Sequence, residues 1–304
     1  VIKGRAGSTV GFRLTAMTSS SQPLQPIRFV KAHGTGNDFI VLNAVEQDID
    51  LDANQVAMLC DRHKGIGADG LLRIAPARDF GVVDAKFFMD YRNSDGSIAE
   101  TCGNGLRVFA RILIEQGYET FGVFKIGTRA GTVTAAVNAQ DVHFKDISIR
   151  IGQPNMDFSH EEVSFTTKSG TYSGRPVFMP NPHCVTIVED VALVGDLIEA
   201  PILQPNRRFP NGANIEFISS HSEAHITMRT HERGVGETLS CGSGACAAAS
   251  VWATRLDMVA PWTIQVDVLG GTVYVDCDEL GFLTLRGPAQ VIAAGTVQSD
   301  LWMS

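Results

Sequence analysis

No apolar run in the 304-residue chain approaches the roughly 20 residues that a membrane-crossing helix needs. Positive charge is not in excess either. The formal net charge is -8, which argues against a nucleic-acid-binding surface and says little about a small substrate. Cys-x-x-Cys pairs are lacking, and no histidines flank the six cysteines at zinc-finger spacing, so no metal is expected. Cys60 with His63 comes nearest and reads as a buried thiol beside a surface imidazole. No dense disulfide framework and no secretory signal accompany those cysteines, so reduced thiols in a cytoplasmic protein are expected. No lysine stands in a pyridoxal-binding context, which makes cofactor-independent chemistry the simpler expectation. Residues 1–16 carry Lys3, Arg5 and Arg13 without a continuous apolar stretch. Residues 1–25 are read as a disordered leader.

What remains is an ordinary globular composition, 44% hydrophobic and 19% charged, in a chain long enough for about two domains. Short β-like runs dominate: Ile27–Lys31, Phe39–Asn43, Leu71–Ile74, Ala85–Tyr91, Phe121–Ile126, Thr132–Val137 and His143–Ile149 in the first half. Arg175–Met179, Cys184–Val188, Ala213–Ser219, Ala224–His231 and strands at 262–268, 271–277 and 281–286 follow. Helical periodicity marks Asp52–Arg62, a short stretch near 191–199, and two longer segments that start at Cys102 and Cys241. A turn is expected at Pro180-Asn181-Pro182-His183. Residues Gly65-Ile66-Gly67-Ala68-Asp69-Gly70 match the dinucleotide fingerprint letter for letter, but a helix precedes them and a strand follows. That order is the reverse of what pyrophosphate binding requires, so the match is rejected. The pattern indicates an α+β fold.

Two tetrads stand out, Cys102-Gly103-Asn104-Gly105 and Cys241-Gly242-Ser243-Gly244, each running into apolar helical sequence. The cysteines are 139 residues apart (241 − 102), as are the polar residues nine positions upstream, Asn93 and Glu232 (232 − 93). Asn37 and Asn181 are 144 apart (181 − 37), and the same step carries Gly70 to Asn214. Two homologous, pseudo-symmetric halves are inferred, each a mainly antiparallel sheet wrapped around a central helix, with the site in the cleft between them. The halves are drawn as 26–146 plus 288–304, and 147–287. A single cysteine at a glycine-rich turn is usually a small buried hydrophobe, and Cys60, Cys184, Cys246 and Cys277 are read so. His33, His143, His160, His221 and His225 lack motif support. The matched pair reads differently. A thiol at a helix N-terminus meets the positive end of the dipole and free N–H groups, which lower its pKa towards neutrality. Two such thiols on opposite sides of a bound molecule are what inversion at a carbon acid needs. Gly103, Asn104, Gly242 and Ser243 would turn backbone N–H groups toward a substrate carboxylate. The Glu232-Arg233 pair would meet the ammonium and carboxylate of an amino acid.

In these segments the chain resembles the diaminopimelate epimerases, from Ile27 onward. The carrying stretches are His33-Gly34-Thr35-Gly36-Asn37-Asp38-Phe39, Arg62 to Asp69, Asn93 to Ser97, Cys102 to Gly105, Asn181 to Val185, and Glu232 to Cys246. The resemblance implies interconversion of LL- and meso-2,6-diaminopimelate, with Cys102 and Cys241 as base and acid. It implies substrate binding by Asn37, Asn93, Asn181, Asn214, Glu232 and Arg233, and tuning of the thiols by His183 and Glu232. A homodimer is implied too. Some relatives carry glutamine where this chain has Gly70, so a side-chain contact there is lost or replaced. Two rivals stand beside this reading: a cofactor-independent racemase for another amino acid, and a non-catalytic amino-acid-binding or redox-sensing protein.

Overall fold

A computed structural model of the chain describes residues 26–156, 162–204, 209–298 and 301. The expected leader over 1–25 lies outside the described residues, as does His160.

The first half begins with β1 (Ile27–Gly34), β2 (Asn37–Asn43), α1 (Ala53–Cys60), β3 (Gly70–Pro76) and β4 (Phe87–Asn93). Then come α2 (Gly103–Glu115), β5 (Gly122–Thr128), β6 (Gly131–Val137) and β7 (Ile147–Gly152). The second half contains β8 (Val163–Thr167), β9 (Gly170–Met179), β10 (Asn181–Ile187), β11 (Ile202–Leu203), β12 (Asn214–Ser222), β13 (His225–Glu232) and β14 (Gly236–Thr238). It continues through α3 (Gly242–Arg255), β15 (Trp262–Val268), β16 (Gly271–Cys277) and β17 (Leu283–Gly287), after which β18 (Gln290–Val297) returns to the first half.

Pairing repeats step for step. β1–β2 is antiparallel, β2–β3 parallel, β3–β4 antiparallel, β4–β5 parallel, and β5–β6 and β6–β7 antiparallel. The series β9–β10, β10–β12, β12–β13, β13–β15, β15–β16 and β16–β17 has the same directions. Register repeats as well: Phe39 faces Gly70 and His183 faces Asn214, each partner displaced by 144 residues (183 − 39, 214 − 70). Asn93 and Glu232, 139 apart, are the last residues of β4 and β13. Antiparallel β7–β17 joins the two sheets, and β18 returns to pair with β1.

Each sheet curls around one helix. α2 buries Leu106, Val108, Phe109, Ala110, Ile112 and Leu113 against Phe39, Leu72, Met89, Ile126 and Ile149. α3 buries the alanines 245 and 247–249 with Val251 against Val177, Met228, Ile264, Val275 and Leu285. Its run of alanines lets the surrounding strands come close on every side, as expected for a helix with no polar face. A smaller cluster backs each sheet: α1 residues Val56, Leu59 and Cys60 on Ile40 and Leu71, and Phe165, Val191 and Val194 on Ile215 and Phe217. α1 starts with a full capping box, Asp52 accepting from the Gln55 N–H while Gln55 accepts from the Asp52 N–H. α2 stops at Gly117 (φ 75°), where the Gly117 and Tyr118 N–H groups close on Ile114 and Leu113 carbonyls. Among the described residues no helix is long and apolar enough to cross a membrane.

Several boundaries differ from expectation. The expected turn at 180–183 shrinks to Pro180, because Asn181, Pro182 and His183 already pair with Met179, Phe178 and Val177. The strand expected from His143 starts only at Ile147, since Phe144 adopts a left-handed φ of 51°. The helix near 191–199 is one 3-10 turn, Val191–Val194, ended by Gly195. β8, β11, β14 and β18 had no strand expectation. In β18 six of eight residues are exposed, so no in–out alternation marks it.

The β15–β16 hairpin tip presses on the first half. A Cβ at Gly270 would lie 1.8 Å from the Thr35 carbonyl oxygen and 3.1 Å from that of Leu239. Gly270→Ala is therefore expected to destabilise the fold by about 1–3 kcal/mol, the usual cost of overpacking. A denaturant midpoint equal to that of the parent chain would contradict this contact.

Candidate active site

Both central helices begin at a cysteine. Cys102 is the N-cap of α2 and accepts the Gly105 N–H at 3.4 Å; Cys241 is the N-cap of α3 and accepts the Gly244 N–H at 3.4 Å. The first helical residues meet across the seam. A Cβ on Gly242 would lie 3.5 Å from the Gly103 Cα, and one on Gly103 would lie 3.8 Å from the Gly242 Cα. Leu285 of β17 wedges against both, 2.8 and 3.0 Å from those positions. Two helix N-termini thus converge on one point, each with unpaired N–H groups and about half a positive charge.

Around Cys102 the first half supplies an amide held by a carboxylate. The thiol donates to Asn37 Oδ1 at 3.6 Å, and Asn37 Nδ2 donates to Asp69 Oδ2 at 2.9 Å. That second bond decides which end of the Asn37 amide faces the sulfur. Asp69 is gripped by Arg62 at 2.7 Å, which also forks onto Asp38 at 2.8 and 3.1 Å. Lys31 pairs with Asp38 at 2.6 Å. Burial pushes the Asp38 carboxyl up, but hydrogen bonds from Arg62 and Lys31 and their charges override it. The carboxyl ends well below the usual range.

Around Cys241 the second half supplies an imidazole–carboxylate pair. His183 Nδ1 lies 2.7 Å from Glu216 Oε1, both side chains fully buried, and His183 Nε2 lies 2.9 Å from Asn181 Oδ1. Glu216 reaches the mouth of α3, where a Cβ on Gly244 would stand 2.7 Å from Oε1. Its Oε2 is buried without a protein partner. Ser243 Oγ stands 3.6 Å from the Cys241 sulfur. Glu232 accepts from Thr238 Oγ1 at 2.5 Å; burial foremost, with the Glu216 charge, pushes its carboxyl up. Asn214 Oδ1 accepts the Arg233 N–H at 2.9 Å, while the Arg233 guanidinium leans on the carbonyls of Asn211 and Gly212.

A buried polar seam ties the halves. Asn104 Nδ2 donates to the Ser240 carbonyl at 2.9 Å, and Thr35 Oγ1 donates to Ser240 Oγ at 2.7 Å. Arg107, wholly buried, donates to Thr35 Oγ1 at 3.0 Å and to the carbonyls of Pro288 and Gly103.

The thiols correct one expectation. Helix N-termini alone would bring them towards neutrality, yet both rise. Burial pushes Cys102 up to about 11 despite the N–H groups of Gly105 and Asn104. Burial with the charges of Glu232 and Glu216 pushes Cys241 well above the ordinary range. Removing water outweighs the dipole.

Of the residues expected at the site, Cys102, Asn37, Gly103 and Asn104 surround one helix mouth. Cys241, Gly242 and Ser243 form the other, with His183 and Asn181 reaching it through Glu216. Glu232 bears electrostatically on both sulfurs. Asn93 stands opposite Gly70 at the end of β4 and bonds Ser97 at 2.9 Å. Gly70 has no room for a side chain, a Cβ there lying 2.8 Å from the Tyr91 ring and 2.7 Å from the Arg92 carbonyl. Asp69, Arg107, Glu216 and the Thr35–Ser240 bond were not foreseen. Glu216 had a signal, a lone carboxylate two residues after Asn214 in an apolar strand, hence on the same face. Among the described residues no group of three or more His, Cys, Asp or Glu side chains could hold a metal ion.

The profile of the diaminopimelate epimerase family matches residues 29–156 and 176–292. A diaminopimelate epimerase of Streptomyces coelicolor is 41% identical over 283 residues, 90% of this chain and 96% of its own. One of Mycobacterium tuberculosis is 38% identical over 289 residues, 90% and 98% of the two chains. Among solved structures, a hydroxyproline epimerase from Agrobacterium vitis superposes with a TM-score of 0.64 at 16% identity, covering 90% of this chain and 93% of that one. A Bacillus anthracis protein of the PhzF family gives 0.64 at 17% identity, covering 90% and 99%. These two likenesses concern the fold alone.

The Asp38 cluster carries a pH signature. A carboxyl depressed in the folded state adds stability that is complete above the unfolded value, about 3.9, and is lost as pH falls through the folded one. Asp38→Asn should cost about 1–3 kcal/mol at neutral pH, towards the lower end because Arg62 is half exposed. The gap between parent and variant should close below about pH 4. A gap that stays constant with pH would show that the carboxylate charge is not what stabilises the cluster.

Proposed function

The chain belongs to the diaminopimelate epimerase family, and on that premise we propose that Cys102 and Cys241 interconvert LL- and meso-2,6-diaminopimelate by two-base proton transfer. One observation carries the mechanism. Two cysteine-capped helices meet N-terminus to N-terminus at Gly103 and Gly242.

A bound α-carboxylate between those N-termini receives N–H groups from both helices, and the two dipoles favour its charge. Removing the α-proton builds further negative charge beside the carboxylate, so the same donors stabilise the transition state more than the ground state. One sulfur, as thiolate, takes the proton from one face of the α-carbon. The other, as thiol, returns a proton to the opposite face, which inverts the centre. The roles exchange with the direction of reaction. The step moves only protons between the two sulfurs and the α-carbon, with no change of oxidation state.

The remaining polar groups serve the rest of the substrate. Asn37 lies at Cys102, and Asn93, Asn181, Asn214, Glu232 and Arg233 offer fixed donors and acceptors for the ammonium groups and the distal carboxylate. A distal centre of the wrong hand would leave some of these unpaired, a costly outcome in a buried site. The activity belongs to lysine and peptidoglycan precursor synthesis. The division we draw is 26–146 plus 288–304 and 147–287, with β7 at the boundary pairing to both β6 and β17; the return of β18 to β1 supports it. A cytoplasmic setting is supported by six free thiols. A homodimer is supported by β18, which pairs with β1 along one edge and exposes Ile292; light scattering at twice the chain mass tests it.

In D2O, turnover should place deuterium at one α-carbon of the product. Cys102→Ser and Cys241→Ser should each lower epimerisation by about 10²–10⁴-fold, the range for loss of a general acid or base. Full turnover surviving either substitution would sink the two-base mechanism. Inversion of another amino acid, with diaminopimelate inert, would favour a different racemase.

A further inference from the structure

The two cysteine motifs look alike in sequence, but the halves surround them differently. Set in register by their own offsets, the repeats diverge at three buried positions. Leu72 of β3 and Glu216 of β12 are equivalent (216 − 72 = 144), and each backs the third glycine-turn residue of its helix. A Cβ at Gly105 would lie 3.3 Å from Leu72, and one at Gly244 would lie 2.7 Å from Glu216 Oε1. Phe39 and His183 are equivalent in the same way; Phe39 stands 3.5 Å from the Gly105 position, while His183 bonds Glu216 at 2.7 Å. Arg107 of α2 corresponds to Cys246 of α3 (246 − 107 = 139). One helix therefore carries a buried cation five residues past its cysteine where the other carries a neutral thiol.

Arg107 is an unusual cation. It is wholly buried, yet its acceptors are all neutral, the Thr35 hydroxyl and the carbonyls of Gly103 and Pro288. No carboxylate pairs with it among the described residues. Gly34 and Gly287 make its berth, a Cβ at either falling 3.1 and 3.5 Å from the guanidinium. A buried charge without a counter-ion acts at long range because little water screens it. Glu216 is the opposite case. This buried carboxylate sits against the first turn of α3 with one oxygen unpartnered, so its negative charge is favoured by the same helix dipole as a Cys241 thiolate and repels that thiolate.

We propose that Arg107 and Glu216 are positioning residues that break the symmetry of the two halves and make Cys102 the more readily ionised of the two thiols. The inference rests on the two-thiol reading above. Among the other groups, Cys102 faces Asn37 on β2, whose neutral amide accepts from the thiol and is held by Asp69, with Tyr91 on β4 and Glu232 on β13; Cys241 faces Ser243 on its own helix, Glu232, and His183 on β10 through Glu216. Glu232 weighs on both sulfurs. Burial raises both thiols; the Arg107 charge opposes it at Cys102, whereas the Glu216 charge adds to it at Cys241.

Limited alkylation of the ligand-free full chain by iodoacetamide, read at each cysteine by peptide mass spectrometry, tests this. At about pH 8, below the ordinary thiol range, the labelling rate is proportional to the thiolate fraction of each cysteine. Cys102 should label first in the parent chain. Comparing variants cancels unequal access to the two sulfurs. Glu216→Gln should raise the Cys241-to-Cys102 labelling ratio by about tenfold, whereas Glu216→Asp, which keeps the charge, should leave it near the parent value. Arg107→Gln should slow Cys102 labelling, with Arg107→Lys restoring it. Labelling of Cys241 first, or an unchanged ratio in Glu216→Gln, overturns the proposal even if the arginine variants fail to fold. Deuterium entry at the α-carbon is read separately. A reversed order with exchange intact defeats this inference alone, and the expected order without exchange defeats the two-base reading alone.

Discussion

Everything at the site depends on two helices pointing their N-termini at one another. Such a meeting is unfavourable by itself, since each end carries about half a positive charge and several unpaired N–H groups. Gly103 and Gly242 allow the approach because any side chain at either position would strike Leu285 or the opposite backbone. An anion between the ends relieves the repulsion and satisfies the donors. On the proposed mechanism, affinity for a carboxylate, and for the charge that grows beside it during proton abstraction, is built into the backbone. It belongs to the convergence of the helices and needs no cationic side chain at the reacting carboxylate.

Duplication explains how the chain achieves this. Inversion needs similar groups on opposite faces of one carbon, and a repeated unit joined through β7 and β17 presents the same cap twice around a pseudo-twofold axis. The repeat also frees each half to diverge where the substrate is not symmetric. Asn93 in one half is Glu232 in the other, Gly70 is Asn214, and Phe39 is His183. The scaffold keeps its register through these exchanges, because the paired backbones of β2–β3 and β10–β12 do not depend on the side chains that face the cleft.

That register was open to sequence reading. Offsets of 139 and 144 residues appear in the letters and again in the strand ladders, and both long helices fall where the cysteine motifs place them. The asparagines and the glycine-rich caps were legible because few other residue types serve at such turns. Arg107 was hidden for a physical reason. A single arginine within Leu106-Arg107-Val108-Phe109 looks like the exposed edge of a helix, and its burial depends on Gly34 and Gly287, both distant in sequence. Asp69 acts through the amide of Asn37, so its role exists only once β2 and β3 pair. The ionisation of the thiols is not legible in sequence because dipole and motif are local, whereas desolvation is a property of the closed fold.

Desolvation then sets what the charges mean. Burial lowers the Arg107 guanidinium to about 10, still high enough to keep it charged at neutral pH. It lies near the positive ends of the helices, where a cation weakens rather than supports them. A structure selected for stability alone would place an apolar side chain there, as α3 does with Cys246. Retaining the cation on one side and the Glu216–His183 pair on the other converts a symmetric trough of positive potential into a sloping one, deeper beside Cys102. Two identical thiols facing one another would share a single charge through their mutual repulsion, either sulfur holding it equally, and the slope selects which one ionises first.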